Sequence, residues 1–310
     1  MLINQISPND PISAMAVEAF LKNAKILKDA QFYLKSGDSA TVKKARKGTQ
    51  TDIFRDINTE KNATPPENEY PATPKKIVSI TASVDVVLED RNEDVDAELI
   101  TETRAQCEEA AFVLQEKFFE GNKATVTKEF DGFRKLVPAA NKKETDVNGT
   151  QLVLGNSDTA RKAQQKAIEK MLMFFASVRG GATHAYMNEF LSIRLLLIAK
   201  ELGLYKEKLD ELGNKIELIG NTAIKSAGQK TDGSLLLPFD ETVGTSTDCS
   251  SIIACRWGER TDLTCVTSAG IKGRYIGQDG RQLKNSIDLD MAIQLQNDTA
   301  LWQSTGWRLG

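Results

Sequence analysis

Four cysteines and a single histidine are the side chains of this sequence best suited to chemistry. The thiols are Cys107, Cys249, Cys255 and Cys265, and the imidazole is His184. Two chemistries would use them. A structural zinc ion takes thiolate and imidazole ligands, normally in short paired spacings. A thiolate nucleophile needs a base within hydrogen-bond reach, and here the base must be His184. No C-x-x-C pair occurs, and no cysteine is near His184 in sequence. The plainer reading is reduced thiols, with Cys255 and Cys265 packed as small apolar residues in strands. Reduced thiols fit a cytosolic folding compartment. His184 follows a break at Gly180-Gly181 and reads as a packed or surface residue where a strand begins.

Carboxylates are the next candidates. Glu98, Glu102, Glu108, Glu109 and Glu116 share one stretch with Arg104. Two of them could work as an acid–base pair, but a charged helix face is more often a solvated one. No G-x-x-x-x-G-K-[ST] and no G-x-G-x-x-G occurs. Gly270-x-x-Gly273 falls inside a strand pattern, where glycine marks a bulge or a close backbone approach. No catalytic, cofactor-binding or metal residue is assigned, and a non-enzyme with no cofactor is expected.

The net charge is −3, so no overall basic pull toward nucleic acid exists. The one dense basic cluster is Lys43, Lys44, Arg46 and Lys47. It reads as a solvated loop, or as a contact with an acidic neighbouring surface or DNA. No apolar run approaches the ~20 residues of a membrane span, so no membrane partner is expected.

Elements must position these residues. Apolar steps of three and four at Val17, Phe20, Leu21, Ala24, Leu27 and Ala30 predict an amphipathic helix over 11–30, with Pro11 in its first turn and Ser13 near its cap. Residues 31–75 hold few core formers and form a long excursion; 76–88 return from it as a strand with Ile80, Ala82, Val84 and Val86 on one face. The clearest helix spans 93–120, with Ile100, Thr103, Cys107, Leu114 and Phe118 in its stripe. A second runs over 158–178 from an Asp158 cap, and a third over 188–202 from an Asn188 cap. The third is apolar over much of its circumference, through Phe190, Leu191, Leu195, Leu196, Leu197 and Ile198, which predicts deep burial. Beyond it come short strands closed by glycine or Asp/Asn, at 215–219, 222–225, 250–259 and 269–277. Asp288 and Asp290 alternate with Ile287, Leu289, Met291 and Ile293, as in a strand with one wet face.

The run Ile219-Gly220, then Ser251-Ile252-Ile253-Ala254-Cys255-Arg256-Trp257-Gly258-Glu259, then Ala269-Gly270-Ile271 before another strand, resembles tailed-phage major capsid proteins. These share the Hong Kong-type capsid fold with bacterial encapsulin shells. Glu129-Phe130-Asp131-Gly132-Phe133 resembles a Phe-Asp-Gly-Leu segment of that family, and Tyr186-Met187-Asn188 its strand-to-helix passage. The resemblance covers roughly Val84 to the C-terminus. It implies an α+β chain with an N-terminal arm at 1–30, an extended β-hairpin loop at 31–90, and a peripheral domain with a long spine helix at 91–181. It further implies an axial domain at 182–282 and a return to the peripheral domain at 283–310.

The function implied is that of a major capsid protein assembling as pentamers and hexamers into an icosahedral shell around double-stranded DNA, bound non-specifically. Its place would be the virion capsid, assembled in the host bacterial cytoplasm. Scaffolding, portal and decoration proteins would be further partners. Residues 1–30 are too few for a built-in scaffold, so a separate scaffolding protein, or none, is expected. Lys43, Lys44, Arg46, Lys47, Phe54, Phe130 and Gly132 are the candidate subunit contacts. One branch of the family crosslinks an arm lysine to an asparagine; Asn297 reads instead as a turn residue, so non-covalent assembly is expected. The alternatives are an encapsulin-type compartment and, in another class, a soluble α+β enzyme whose excursion is a lid.

Overall fold

The computed structural model describes residues 1–41, 44–45, 57, 68–69, 72–91, 94–209 and 215–309. Its helices are α1 (Ile3–Ile6), α2 (Pro11–Asn23), α3 (Val95–Glu120), α4 (Phe133–Leu136), α5 (Asp158–Ser177) and α6 (Glu189–Glu201). The early strands are β1 (Phe32–Leu34), β2 (Ser39–Thr41), β3 (Lys44–Ala45), β4 (Asn68–Glu69), β5 (Ala72–Pro74) and β6 (Lys76–Asp85). Then follow β7 (Lys142–Glu144), β8 (Thr150–Leu152), β9 (His184–Met187), β10 (Tyr205–Leu209), β11 (Lys215–Ile219) and β12 (Thr222–Ser226). The last are β13 (Glu241–Val243), β14 (Ser246–Cys255), β15 (Leu263–Thr267), β16 (Lys272–Asp279), β17 (Gln282–Leu295) and β18 (Leu301–Leu309).

Helix α3 forms because both its ends and its stripe agree. The Asp94 carboxylate caps it, accepting from the Ala97 N–H at 3.1 Å, and Asp96 and Glu98 lie in the favourable first turn. Leu99, Thr103, Cys107, Ala111, Leu114 and Phe118 are buried at three- and four-residue steps. The stripe begins at Val95, four residues before Leu99; the expected Ile100 is half exposed. Two other expectations shift at helix ends. The Ser157 hydroxyl, not Asp158, caps α5. Helix α2 stops at Asn23 and continues as a 3₁₀ turn over Lys25–Lys28. Its cap is Asp10, which accepts from the Ser13 N–H.

One sheet has the order β1-β15-β17-β16. β16 and β6 both pair with the same half of β17, so they flank it on opposite sides. β6 ends at Asp85, and Val86 already begins a 3₁₀ turn. The second sheet has nine strands in the order β10-β11-β12-β9-β14-β18-β7, with β13 on β14 and β8 on β18. Sheet membership cuts across the sequence boundary at 282. β15 and β16 belong to the first sheet, and β18 pairs with β14 in the second.

Two cores follow. One lies between the sheets with α2 and α3 and holds Phe20, Phe118, Phe133, Tyr186, Ile253 and Cys265. The other lies under α5 and α6 and holds Met171, Phe175, Leu195, Ile252, Ala254 and Trp307.

Candidate assembly interface

The excursion leaves the first sheet as a two-stranded ladder. β2 pairs with β5, Ser39 opposite Pro74, and β3 pairs with β4, Lys44 opposite Glu69. Lys43, Arg46, Lys47 and Phe54 lie outside the described residues, as does the Lys44 side chain. The ladder is pinned at its root by Lys75, whose side chain is only 3% exposed. Its ammonium donates to the Lys35 carbonyl, to Ser268 Oγ at 2.5 Å, and to Asp290 Oδ2 at 3.4 Å. Burial alone would raise the Asp290 carboxyl, but donors from Ser268 and Thr267 and the Lys75 charge hold it below its ordinary value.

Beside this root is a cavity of about 230 Å³, lined by Lys76, Lys123, Phe130, Asp131, Leu295 and Gln296 among others. The Lys123–Asp131 pair, 3.0 Å apart, stands at its rim.

Phe130 and Gly132 are built into their own subunit. Phe130 is 6% exposed and meets Phe118 edge-on, with centroids 5.7 Å apart. The Gly132 N–H donates to the Gly121 carbonyl at 2.8 Å. A Cβ on Gly132 would stand 2.6 Å from the Lys117 carbonyl, so only glycine allows the two backbones so close. Gly270 does similar work at φ +72°, with Ser7 against it. This is the close approach expected of the Gly270-x-x-Gly273 pattern.

All four cysteines are buried free thiols. Burial pushes the Cys107 thiol up to about 11 and raises Cys255 and Cys265 as well. Thiols held protonated are poor nucleophiles and poor ligands. Strand register nevertheless brings Cys255 opposite His184, a pairing the sequence did not reveal. His184 Nε2 is 3.6 Å from Asp29 Oδ1, and Nδ1 is 3.0 Å from Thr183 Oγ1. Asp29 also pairs with Lys225 at 3.2 Å and accepts from the Tyr186 hydroxyl at 3.2 Å; Trp257 Nε1 donates to that hydroxyl at 3.0 Å. A Cys–His–Asp grouping thus exists on paper. Cys255 is fully buried, and neither it nor His184 lines the cavity at the ladder root or the one beside Thr183 and Arg256. The group serves instead to tie the turn after α2 to β9 and β12. Its one visible sign in the sequence was a carboxylate, Asp29, inside the apolar stripe between Leu27 and Ala30.

Among the described residues no group of three His, Cys, Asp or Glu could hold a metal ion, and no helix is long and apolar enough to cross a membrane. Asn297 is engaged within its own chain. Its Nδ2 donates to Asp262 Oδ1 at 3.1 Å, and its Oδ1 accepts from the Thr299 N–H and hydroxyl.

Helix α6 departs from the deep burial expected of it. Leu191, Leu195, Leu196 and Ile198 are buried, but Phe190, Ile193 and Leu197 are 56%, 52% and 45% exposed. Positions i, i+3 and i+7 share a face, so these three make a continuous outward apolar stripe.

No protein-family model matches the sequence, and no curated protein matches it. Solved structures do resemble the fold. The holo-SrpI encapsulin complex from Synechococcus elongatus PCC 7942 is similar at 11% identity and TM-score 0.60, over 92% of this chain and 88% of that one. The capsid of a native GTA particle is similar at 12% identity and TM-score 0.57, over 91% and 90%. A virus-like particle from Pyrococcus furiosus is similar at 12% identity and TM-score 0.53, over 94% and 97%. Likeness of this extent at such low identity speaks to architecture, and the architecture of this chain is the Hong Kong-type capsid fold.

Proposed function

We propose that this chain is a shell-forming subunit, the major capsid protein of a tailed bacteriophage. Many copies would assemble as pentamers and hexamers around double-stranded DNA. The observation that carries this reading is the end-to-end coverage of the fold match, about nine-tenths of both chains, with three particles of shell type. Fold alone does not fix function. The surface supports the same reading through the outward stripe of α6, because apolar surface of this kind marks contacts with other chains. The first sheet with α2 and α3 would be the peripheral domain, and the nine-stranded sheet with α5 and α6 the axial one. The ladder from Ser39 to Pro74 would be the extended loop, reaching a neighbour through the Lys43, Lys44, Arg46, Lys47 and Phe54 region. Assembly would be non-covalent and take place in the host bacterial cytoplasm, with separate scaffolding, portal and decoration proteins as further partners.

Electron microscopy of the expressed chain, with size-exclusion chromatography, tests this. Closed particles or capsomers are expected, running as a single monomer band after boiling in denaturant. A clean monomer at high concentration and varied salt would sink the reading. Deleting 40–68 should leave a folded body that no longer closes shells.

A second reading, an encapsulin-type compartment, is favoured by the TM-score of 0.60 to an encapsulin. Nuclease-protected double-stranded DNA in particles from infected or induced cells supports the capsid; co-purifying protein cargo without DNA supports the compartment.

A further inference from the structure

The two legs of the ladder meet the body at one side chain. The outgoing leg runs from β1 through Lys35 to Asp38, and the returning leg reaches Lys75 from Pro74. The Lys75 N–H donates to the Asp38 carbonyl at 2.9 Å, which joins leg to leg. The Lys75 ammonium joins both legs to the body. An ammonium has three N–H donors, and here each finds an acceptor: the Lys35 carbonyl, Ser268 Oγ at 2.5 Å and Asp290 Oδ2 at 3.4 Å. Asp290 is itself held in place. Its Oδ1 accepts from the Ser268 N–H at 3.0 Å and from the Thr267 hydroxyl at 3.2 Å, and its Oδ2 accepts from the Ser268 hydroxyl. With the Lys75 side chain only 3% exposed, moving the ammonium off these acceptors would leave a buried charge uncompensated.

Beyond this clamp the described part of the ladder has little to steer it. Ser36, Gly37, Asp38 and Ser39 are exposed on one leg, and Ala72 and Pro74 on the other. Gly37 has φ +94°, and nothing lies within 4 Å of the place its Cβ would take. The outgoing leg therefore has backbone freedom and no packed neighbour to limit it. The returning leg is the stiffer one, because Pro74 has a locked φ and directly precedes Lys75. Where β5 passes β17 the contact is incomplete. The cavity of about 230 Å³ at the root is lined by Thr73 and Pro74 of the ladder and by Ile293 and Leu295 of β17. Interiors normally leave few voids larger than a water molecule, and close packing is what fixes the tilt of one element on another. Here that packing is missing on the side where it would be needed.

We propose that Lys75, held by Asp290, is a positioning residue for assembly: it sets the direction in which the ladder leaves the first sheet, and uniform shells depend on that direction. One leg turns at Gly37, the other passes over a gap, and the ammonium is the point where both legs and the body are joined. Glu69 on β4 lies six residues before Lys75. That is a lever of at most about 20 Å, so a swing of about 20° at the clamp moves its far end by about 7 Å. Subunits that repeat one geometry around closed symmetry do not tolerate such a spread. The inference rests on the shell reading and deepens it by naming the residue on which regular closure depends.

Spin labels on the full chain test the direction, and electron microscopy of the assembled product tests its consequence. Glu69→Cys on the ladder and Glu109→Cys on the exposed side of α3 carry the labels, since the four natural thiols are buried. Lys75→Met keeps the side-chain length and removes the donors; Asp290→Asn keeps the shape and removes the charge. In the dissociated chain either substitution should broaden the label-to-label distance distribution by at least about 5 Å. The double variant should broaden it no more than one alone, because both act through one contact. Amides of β15, paired with β17, should exchange within about threefold of their unaltered rate, which shows an intact body. Either variant should give particles of mixed size or open sheets under conditions where the unaltered chain closes uniform ones. If Lys75→Met does not fold, Asp290→Asn carries both readouts. Distances as narrow as in the unaltered chain, or broadened distances with unchanged particles, would overturn the inference and leave the shell reading standing. An unaltered chain that forms no particles at any concentration would sink the shell reading and the assembly role of Lys75 with it.

Discussion

Two strands of this molecule, β14 in the nine-stranded sheet and β6 in the other, are both rich in β-branched residues, yet they are covered to different degrees. In the nine-stranded sheet, Ile252 and Ala254 of β14 face the core under α5 and α6, while Ile253 and Cys255 face the core between the sheets. Both faces are dry, and the strand reads as a nearly unbroken buried run. In the other sheet, β6 alternates. Ile80, Ala82 and Val84 are buried, and Ile77, Ser79, Thr81, Ser83 and Asp85 are exposed. Where both faces are filled by the chain's own helices, the sheet serves stability. Where one face and one edge are left open, the sheet has surface to offer. The open face of β6 is surface we expect neighbours to touch, as is the outward stripe of α6 on the other sheet.

The largest test of this contrast is a truncation in the two-sided sheet. Trp307 on β18 is fully buried, and its indole N–H donates to Ser304 Oγ at 2.9 Å. Trp307→Ala should cost about 3–5 kcal/mol of folding stability, measured by urea unfolding of the dissociated chain. A loss below ~1 kcal/mol would mean that the core under α5 and α6 is not the packed one described.

A smaller effect is expected at Gly132, in the segment joining α3 to the core between the sheets. An added Cβ meets backbone on both Lys117 and Gly121, which cannot move aside as a flexible side chain would. Gly132→Ala should cost about 1–3 kcal/mol and leave the surface unchanged. Normal stability together with lost assembly would return this residue to the role of a subunit contact.

The contrast between the sheets also explains what the sequence could reveal. Alternation at 287–293 and 80–84 was legible because one wet face imprints a period of two. Helix α3 was legible from its stripe and the terminating Gly121; its Asp94 cap came only with the structure. Three features were not. Helix α2 stops at Asn23 with no proline or glycine there, and Asp29 beyond it is held by Tyr186 and Lys225. The facing of Cys255 and His184 depends on the β14–β9 register, which leaves no local trace. On α6, Phe190, Ile193 and Leu197 look the same in sequence as Leu191 and Leu195, since hydrophobicity does not say whether the partner is the same chain or another.

A third prediction concerns His184, in the polar group behind the nine-stranded sheet. Burial and the Lys225 charge lower its pKa below the ordinary 6.5, against the pull of Asp29. Asp29, Lys225, Thr183, Tyr186 and Cys255 are the groups that face it. The folded state binds this proton less readily than the unfolded state does. Its stabilising contribution is therefore complete above about pH 6.5 and is lost as pH falls through the folded value. The urea midpoint should drop more steeply for the unaltered chain than for His184→Gln as pH falls from 7 to 5. Parallel profiles would show that His184 is not the group responsible.

The smallest effect belongs to the open face of β6. Ile77 is 72% exposed and stands opposite Asp290 on β17, just beyond the Lys75 anchor. An exposed isoleucine on a strand contributes little beyond its β-propensity, and threonine shares that propensity. Ile77→Thr should therefore change the stability of the dissociated chain by no more than about 0.5 kcal/mol. In assembled material the same substitution gains a second readout. If a neighbour covers this face, the loss of apolar surface should lower particle stability while the free chain is unaffected, and thermal melts of both forms separate the two. A cost of ~2 kcal/mol already in the free chain would show that the face is covered from within the subunit, and the distinction between a finished and an open sheet would fail at its most exposed point.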